Sequence, residues 1–109
     1  MNRNKPVIPR AIAQEDVDEA IEHYLNENAP EAALGFIDAL ARAYTQISRS
    51  PSAGAPRYAH ELNIPGLRFR PLKNYPYLVF YVEHESHIDV WRIAHGSRDI
   101  PKWMQDESA

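Results

Sequence analysis

The N-terminal half of the chain contains two stretches in which apolar residues recur at helical spacing. The first stretch, residues 13–27, predicts a helix with an apolar face of Val17, Ile21, Tyr24 and Leu25. The second begins at Pro30, which suits the first turn of a helix, and ends before Pro51, which disfavours helical backbone at the residue before it. Its apolar stripe consists of Ala33, Phe36, Ile37, Leu40, Tyr44 and Ile47. Because the connecting loop is short, we expect the two helices to pack antiparallel.

The C-terminal half has the pattern of β-strands. Residues 77–82 form an unbroken aromatic and β-branched run that is typical of a buried central strand, and residues 88–94 form a second strand after a polar turn. Residues 67–70 alternate apolar with basic side chains and predict a half-exposed strand. Val7 and Ile8 lie between prolines and allow only a short edge strand.

These elements predict an α+β fold of order β-α-α-β-β-β. In it, an antiparallel sheet packs against an N-terminal two-helix hairpin. The turn at residues 96–99 precedes a short segment, residues 100–105, to which the pattern assigns no regular structure. With 109 residues, the chain is expected to form a single domain over its whole length, 1–109.

Composition removes several classes of protein. The chain has no cysteine, so a disulfide framework and a thiolate nucleophile are excluded, and the cytoplasm is the expected location. No apolar run approaches the ~20 residues that span a bilayer, and no N-terminal signal is expected. The net charge of −3 argues against strong direct binding to nucleic acid. Four acids near the start of the first helix, Glu15, Asp16, Asp18 and Glu19, are interpreted as favourable partners of the helix dipole.

Two clusters of polar residues are weak candidates for chemistry. His84 and His87 lie at the predicted hairpin turn and have no fixed third ligand nearby except Glu83 or Glu85, so a solvated turn is favoured and no metal or cofactor is expected. His95, Ser97 and Asp99 are the residue types of a hydrolase triad. They lie on one turn, where their side chains cannot converge in series.

A set of basic residues in the sheet half is the more serious candidate. It consists of Arg57, Arg68, Arg70, Lys73, Arg92, Arg98 and Lys102, with His95. Such groups can anchor phosphates and move protons in a metal-free ribonuclease, or they can pair with the carboxylates of a protein partner. Strand alternation predicts that Arg92 shares a face with Ile88 and Val90, where a carboxylate or the ring of Tyr77 or Tyr81 would have to hold it.

Several short motifs follow one another in a definite order. The first helix has an Ala-x-x-Asp/Glu-hydrophobic spacing at Ala13, Asp16 and Val17 and ends at Tyr24. The later motifs are Ala32-Ala33 with Phe36, Ser50-Pro51-x-x-Gly54, Gly66-Leu67-Arg68, Tyr75-Pro76-Tyr77 with Phe80-Tyr81, and Val90-x-Arg92-Ile93-x-His95-x-x-Arg98-Asp99. This ordered set resembles the RelE/ParE superfamily of toxins from bacterial toxin-antitoxin pairs, and it is more similar to the ParE branch.

The resemblance implies a toxin that binds a ParD-like antitoxin in a hetero-oligomer. ParE-like members bind and block DNA gyrase, whereas RelE-like members cut messenger RNA on the ribosome. This chain lacks the dense basic set of the RelE branch and has no evident catalytic glutamate on the sheet before Tyr75, so gyrase inhibition is the preferred expectation. A ribosome-dependent ribonuclease, or a domain that binds antitoxin without toxicity, remain the alternatives.

Particular residues are assigned on this basis. Antitoxin carboxylates are expected to pair with Arg68, Arg70 and Arg92. In the ribonuclease alternative, Arg70, Arg92 and His95 would be catalytic. The C-terminal residues Arg98, Lys102, Trp103 and Met104 are types enriched in interfaces and are expected to bind gyrase. If so, residues 100–109 should be removable without unfolding the domain.

Overall fold

The elements of the fold occur in the predicted order. A computed structural model of the protein describes the backbone of residues 4–108 and the side chains of residues 4–104. The strands are β1 Val7–Pro9, β2 Leu67–Pro71, β3 Tyr77–Glu83 and β4 Ile88–His95, and the helices are α1 Ala11–Asn26, α2 Pro30–Arg49 and α3 Ile100–Ser108. The α+β class is therefore confirmed. The helix α3 occupies the segment to which the sequence pattern assigned no regular structure.

The four strands form one mixed sheet in the order β1-β4-β3-β2. The pairs β2–β3 and β3–β4 are antiparallel, as expected, but β1 pairs with β4 in parallel. The connection between β1 and the other strands contains α1 and α2, which cross one face of the sheet and allow this parallel pairing. The short strand β1 lies at one edge, as its prolines predicted, and β2 forms the other edge.

Both faces of the sheet are covered. Helices α1 and α2 bury Val17, Phe36 and Ile47 against Val79 and Val90 of the sheet. The opposite face is covered by the turn segment 56–66 and by α3. Its core consists of Leu62, Leu67, Phe80, Val82, Ala94, Ile100 and Met104. The sheet is thus the middle of three layers, and arginines in its centre do not face open solvent.

A bulge in β4 reverses the predicted orientation of Arg92. Phe80 pairs with Arg92, but the next residue, Tyr81, pairs with Val90, so Trp91 is an extra residue in the ladder. Residues opposite each other in a ladder share a face, and the extra residue therefore moves Arg92 to the face of Phe80. The prediction that Arg92 shares a face with Ile88 and Val90 was wrong because strict alternation cannot register a bulge.

Within the described residues, no helix is both long enough and apolar enough to span a bilayer.

Candidate functional site

Arg92 forms a buried ion pair with a residue from the other end of the chain. Its Nε and Nη2 donate to the two carboxylate oxygens of Asp16 at 2.8 Å each, and the backbone N–H of Ile93 donates to Asp16 Oδ2 at 3.0 Å. The guanidinium lies 3.9 Å from the ring centroid of Trp103. This bidentate and stacked geometry is the one for which arginine, and not lysine, is suited.

The ion pair corrects three expectations. Arg92 is 3 % exposed, so in this fold it reaches neither an antitoxin carboxylate nor a substrate phosphate, and its assignment to either site does not hold. The expected carboxylate is present as Asp16, but the aromatic neighbour is Trp103, not Tyr77 or Tyr81. Asp16 is 9 % exposed and lies beyond the first turn of α1, so it serves as the partner of Arg92 and not as a dipole residue.

The C-terminal residues predicted to bind gyrase divide into buried and accessible ones. Met104 is 1 % exposed and Ile100 is 2 % exposed, because α3 packs both against the sheet. Met104 is therefore not available to a partner, and the expectation that residues 100–109 can be deleted from a folded domain is corrected. Trp103 is partly exposed, and Arg98 and Lys102 are exposed.

Trp103 lies between two guanidinium groups. Arg98 is 5.0 Å from its ring centroid, and Arg92 is 3.9 Å from it. Cation–π contacts of this kind fix the orientation of the indole and of the exposed Arg98 side chain. We call the accessible side chains at the start of α3 the tail surface: Arg98, Lys102 and the exposed part of Trp103.

His95 is held at the end of β4. The hydroxyl of Ser97 lies 2.7 Å from its Nδ1, and the backbone N–H of Ser97 donates to the same nitrogen at 3.1 Å. The ring of Tyr77 meets the imidazole edge-on at 5.3 Å between centroids. Burial raises the pKa of Tyr77, and the charge of Arg98 partly offsets this rise. Ser97 is thus the hydrogen-bond partner of His95 at the end of the sheet.

The three residues of the ribonuclease alternative are not brought together. Arg70 lies on β2 and contacts α2, Arg92 is buried under α3, and His95 lies at the end of β4 beside α1. Strand β3 separates the strand that carries Arg70 from the strand that carries the other two. A shared site would need all three within reach of one phosphate.

A groove of about 1060 Å³ lies between α2 and β2. Its apolar part includes Ala39, Ala43, Phe69 and Leu72, and its charged part includes Asp38, Arg42, Arg70 and Lys73. Arg70 Nε donates across the groove to Gln46 Oε1 at 2.9 Å. Arg42 pairs with Asp38 at 3.3 Å, and their side chains are 70 % and 67 % exposed.

Of the three arginines expected to bind antitoxin, Arg92 is buried and only one of the other two lines this groove. Arg70 does so, whereas Arg68 donates from Nη1 to the carbonyl of Gly54 at 2.7 Å and is partly buried beside the groove. Arg42 and Gln46 also line the groove but were not predicted as site residues. They lie one turn apart on the exposed part of α2, and their spacing of four residues was the available signal.

The hairpin between β3 and β4 carries the two histidines considered as metal ligands. Their rings stack with 4.9 Å between centroids, and His84 Nε2 lies 3.4 Å from Asp89 Oδ2. Burial acts to raise the pKa of Asp89, but the hydrogen bonds and charges of Arg10 and His84 outweigh it and hold this pKa below its ordinary value. Over the part of the chain that the structure describes, no three histidine or acidic side chains are grouped as a metal site would require.

The structure is thus a small α+β domain with a groove between α2 and β2 and with the tail surface at the start of α3. A family model of the ParE toxin of type II toxin-antitoxin systems, parDE, matches residues 7–100. The chain therefore belongs to the ParE toxin family, and it has a toxin-antitoxin partner as a member of such a system.

A solved structure of a chromosomal ParDE TA system from P. aeruginosa has the same fold. It superimposes with a TM-score of 0.69 at 22 % identity and covers 84 % of this chain and 95 % of its own. The search of curated proteins found no match.

Proposed function

We propose that the protein is a single-domain cytoplasmic toxin that inhibits DNA gyrase by binding to it and is neutralised by a ParD-like antitoxin in a hetero-oligomer. Membership of the ParE toxin family carries this proposal. Gyrase inhibition is what the resemblance to the ParE branch implies. No cofactor and no metal is required for inhibition by binding.

The positions of the candidate catalytic residues support binding over RNA cleavage. A metal-free ribonuclease needs accessible groups that share one phosphate, and Arg92 is 3 % exposed while Arg70 and His95 lie on different strands. The ribonuclease remains the second candidate because His95, Arg98 and Tyr77 line one small cavity near α1.

We assign gyrase binding to the tail surface. Arg98 and Lys102 are exposed, and Trp103 adds a partly exposed aromatic ring that Arg92 and Arg98 hold in place. Tryptophan and arginine are enriched among the residues that dominate binding energy in interfaces. Met104 does not belong to this surface, because its side chain is buried.

The test is inhibition of supercoiling by purified gyrase. The double variant Arg98→Glu with Lys102→Glu, which we call the tail variant, should require at least about tenfold more protein for half-inhibition, because it places negative charge where the partner meets cations. The matched control is Arg42→Glu with Lys73→Glu, which we call the groove variant. It makes the same change of charge at exposed positions away from α3 and should inhibit as the wild type does.

The same preparations are incubated with ribosomes that carry messenger RNA. We expect no cleavage. RNA cleavage with supercoiling unaffected, and its loss in His95→Ala, would replace the proposed function with the ribonuclease. A protein that binds antitoxin but affects neither gyrase nor RNA would identify the non-toxic alternative. Equal inhibition by the two double variants would contradict the assignment of the tail surface only.

A further inference from the structure

Helix α2 carries two apolar stripes, and the sheet covers only one of them. The buried stripe consists of Ala33, Phe36, Leu40, Ala43 and Ile47. A second stripe, Leu34, Ile37 and Ala41, recurs at the helical spacing of three and four residues and is accessible to solvent. Leu34 is 67 % exposed and Ile37 is 44 % exposed. We call Leu34, Ile37 and Ala41 the outer stripe.

A further exposed leucine lies beside the outer stripe. Leu25, at the end of α1, is 53 % exposed. The ring of its neighbour Tyr24 lies 6.1 Å from the ring of Phe36, which stands between Leu34 and Ile37 in the chain, so this end of α1 adjoins the start of α2. Large apolar side chains grouped on the surface of a folded domain mark a contact site for another molecule.

The charged residues beside the outer stripe have opposite signs on the two sides of the middle of α2. Glu31 and Asp38 lie in its N-terminal half, Arg42 and Arg49 lie in its C-terminal half, and all four are exposed. Their separations of 7, 4 and 7 residues place them on one side of the helix, symmetrically about Leu40. The helix dipole accounts for the signs of Glu31 and Arg49 in the first and last turns, but not for the leucine and isoleucine beside them.

This arrangement of charges is complementary to a second copy of itself. If two α2 helices pack antiparallel about a two-fold axis at the level of Leu40, Glu31 lies opposite Arg49 of the partner subunit. The same axis places Asp38 opposite Arg42 of the partner subunit, and each pair occurs twice. A parallel pair of helices would place like charges opposite each other. The Asp38–Arg42 pair within one helix is exposed, so exchange of its partner across the axis costs little.

We propose that the outer stripe of α2 is the interface of a reversible homodimer, in which two copies of this chain pack their α2 helices antiparallel about a two-fold axis. This inference does not rest on the proposed function. The tail surface lies at the start of α3, which covers the opposite face of the sheet, so both copies keep it accessible.

The size of the outer stripe predicts a weak dimer. From Glu31 to Arg49 the helix face is about 27 Å long, at about 1.5 Å for each residue, and about 10 Å wide. This face is smaller than the roughly 800 Å² that each partner contributes to a stable interface, so the dimer should dissociate on dilution. Burial of Leu34 and Ile37 drives association, while the charge pairs select the antiparallel arrangement and weaken as salt increases.

Sedimentation velocity of the purified chain over a range of concentrations measures the dissociation constant of the dimer. Asp38→Arg should raise it about tenfold or more at low salt, because the two-fold axis then places arginines opposite each other twice. Arg42→Asp should raise it similarly, because it opposes carboxylates. The tail variant changes charges away from α2 and should dimerise as the wild type does. Circular dichroism establishes that each variant is folded.

A mixture of the two single variants provides a result that misfolding cannot imitate. A heterodimer of Asp38→Arg with Arg42→Asp has opposite charges at both sites of contact. Mixing the two proteins should therefore restore dimers at concentrations where neither variant dimerises alone.

The position of the axis can be measured by cross-linking, because the chain has no cysteine of its own. Ala41 lies one residue from the proposed axis, and Ala41→Cys should form a disulfide between subunits under mild oxidation, since the two Cα atoms must lie within about 7 Å. Thr45→Cys is the matched control. Its side chain is also exposed, but its two copies would be about 15 Å apart along the helices and should cross-link far less.

A wild-type chain that stays monomeric at all concentrations would overturn the proposal, as would equal cross-linking of Ala41→Cys and Thr45→Cys. Dimers that Asp38→Arg leaves unchanged would overturn the antiparallel arrangement. A monomeric wild type whose binding to the antitoxin is weakened by Ile37→Lys would assign the outer stripe to the antitoxin instead. Inhibition of gyrase is measured separately, so none of these outcomes decides the proposed function.

Discussion

Removal of the Asp16 carboxylate should be among the most destabilising single changes in this protein. In Asp16→Ala, the guanidinium of Arg92 remains 3 % exposed under α3 and loses both hydrogen bonds to its counter-ion. The backbone N–H of Ile93 loses its acceptor as well. Arg92 Nη1 already makes no hydrogen bond to any residue that the structure describes, so no other group nearby takes over.

The magnitude follows from the burial of the pair. Loss of one partner of a buried ion pair costs about 3–5 kcal/mol, since the other charge is left desolvated and unpaired. A domain of this size has a free energy of unfolding of about 5–15 kcal/mol, so the change removes a large share of it. The chain offers a matched control in Asp38→Ala, which breaks an exposed pair with Arg42 and should cost about 0.3–0.5 kcal/mol.

Urea unfolding followed by circular dichroism measures the free energy of unfolding of both variants. A shift of the midpoint without a change in the slope m reports a change in stability. Equal losses for Asp16→Ala and Asp38→Ala would contradict the role of the buried ion pair in stability. Arg92→Lys should also be destabilised, because an ammonium lacks the planar fork and the stacking surface that Asp16 and Trp103 contact. The double variant Asp16→Leu with Arg92→Met should recover most of the loss, since it leaves no buried charge.

Two further predictions concern single side chains. Tyr44 Oη is buried without a hydrogen bond to any described residue, and burial raises the pKa of Tyr44 to about 12. Because the fold favours the neutral phenol, the contribution of Tyr44 to the free energy of unfolding is complete below its ordinary pKa of 10.0 and is lost as pH rises towards 12. Tyr44→Phe should abolish this loss of stability at alkaline pH, as measured by unfolding at several pH values. It should also gain about 1 kcal/mol at neutral pH. Met104→Ala should cost about 2–5 kcal/mol in thermal unfolding because it opens a cavity under α3, whereas the exposed Lys102→Ala should stay within about 0.5 kcal/mol; an equal effect of the two would contradict the packing of α3.

The order of elements could be predicted because each signal is local. Periodicity of 3.6 residues, Pro30 at a helix start and Pro51 after a helix end place α1 and α2 nearly as observed, and the aromatic run places β3 within one residue. The prolines beside Val7 and Ile8 likewise predicted the edge position of β1. These features depend on neighbours within a few residues, and the motifs that revealed the ParE family are also short.

The assignment of individual side chains failed where it depended on distant parts of the chain. The pairing of Asp16 with Arg92 spans 76 residues, and no local pattern distinguishes Asp16 from the acids beside it. The bulge at Trp91 reverses a face with one inserted residue, which strict alternation cannot detect. Met104 was predicted to be an exposed interface residue, but it is buried because α3 covers the second face of the sheet.

The sequence by itself therefore determined the class of fold, the boundaries of most elements and the toxin family, because these follow from local backbone preference and short motifs. Only the tertiary structure decided which charges are accessible. It buried Arg92, left Arg98 and Lys102 exposed, and placed Arg42 beside Arg70 in one groove. Accessibility depends on how elements pack across the sheet, and packing joins residues whose separation in the chain carries no periodic signal.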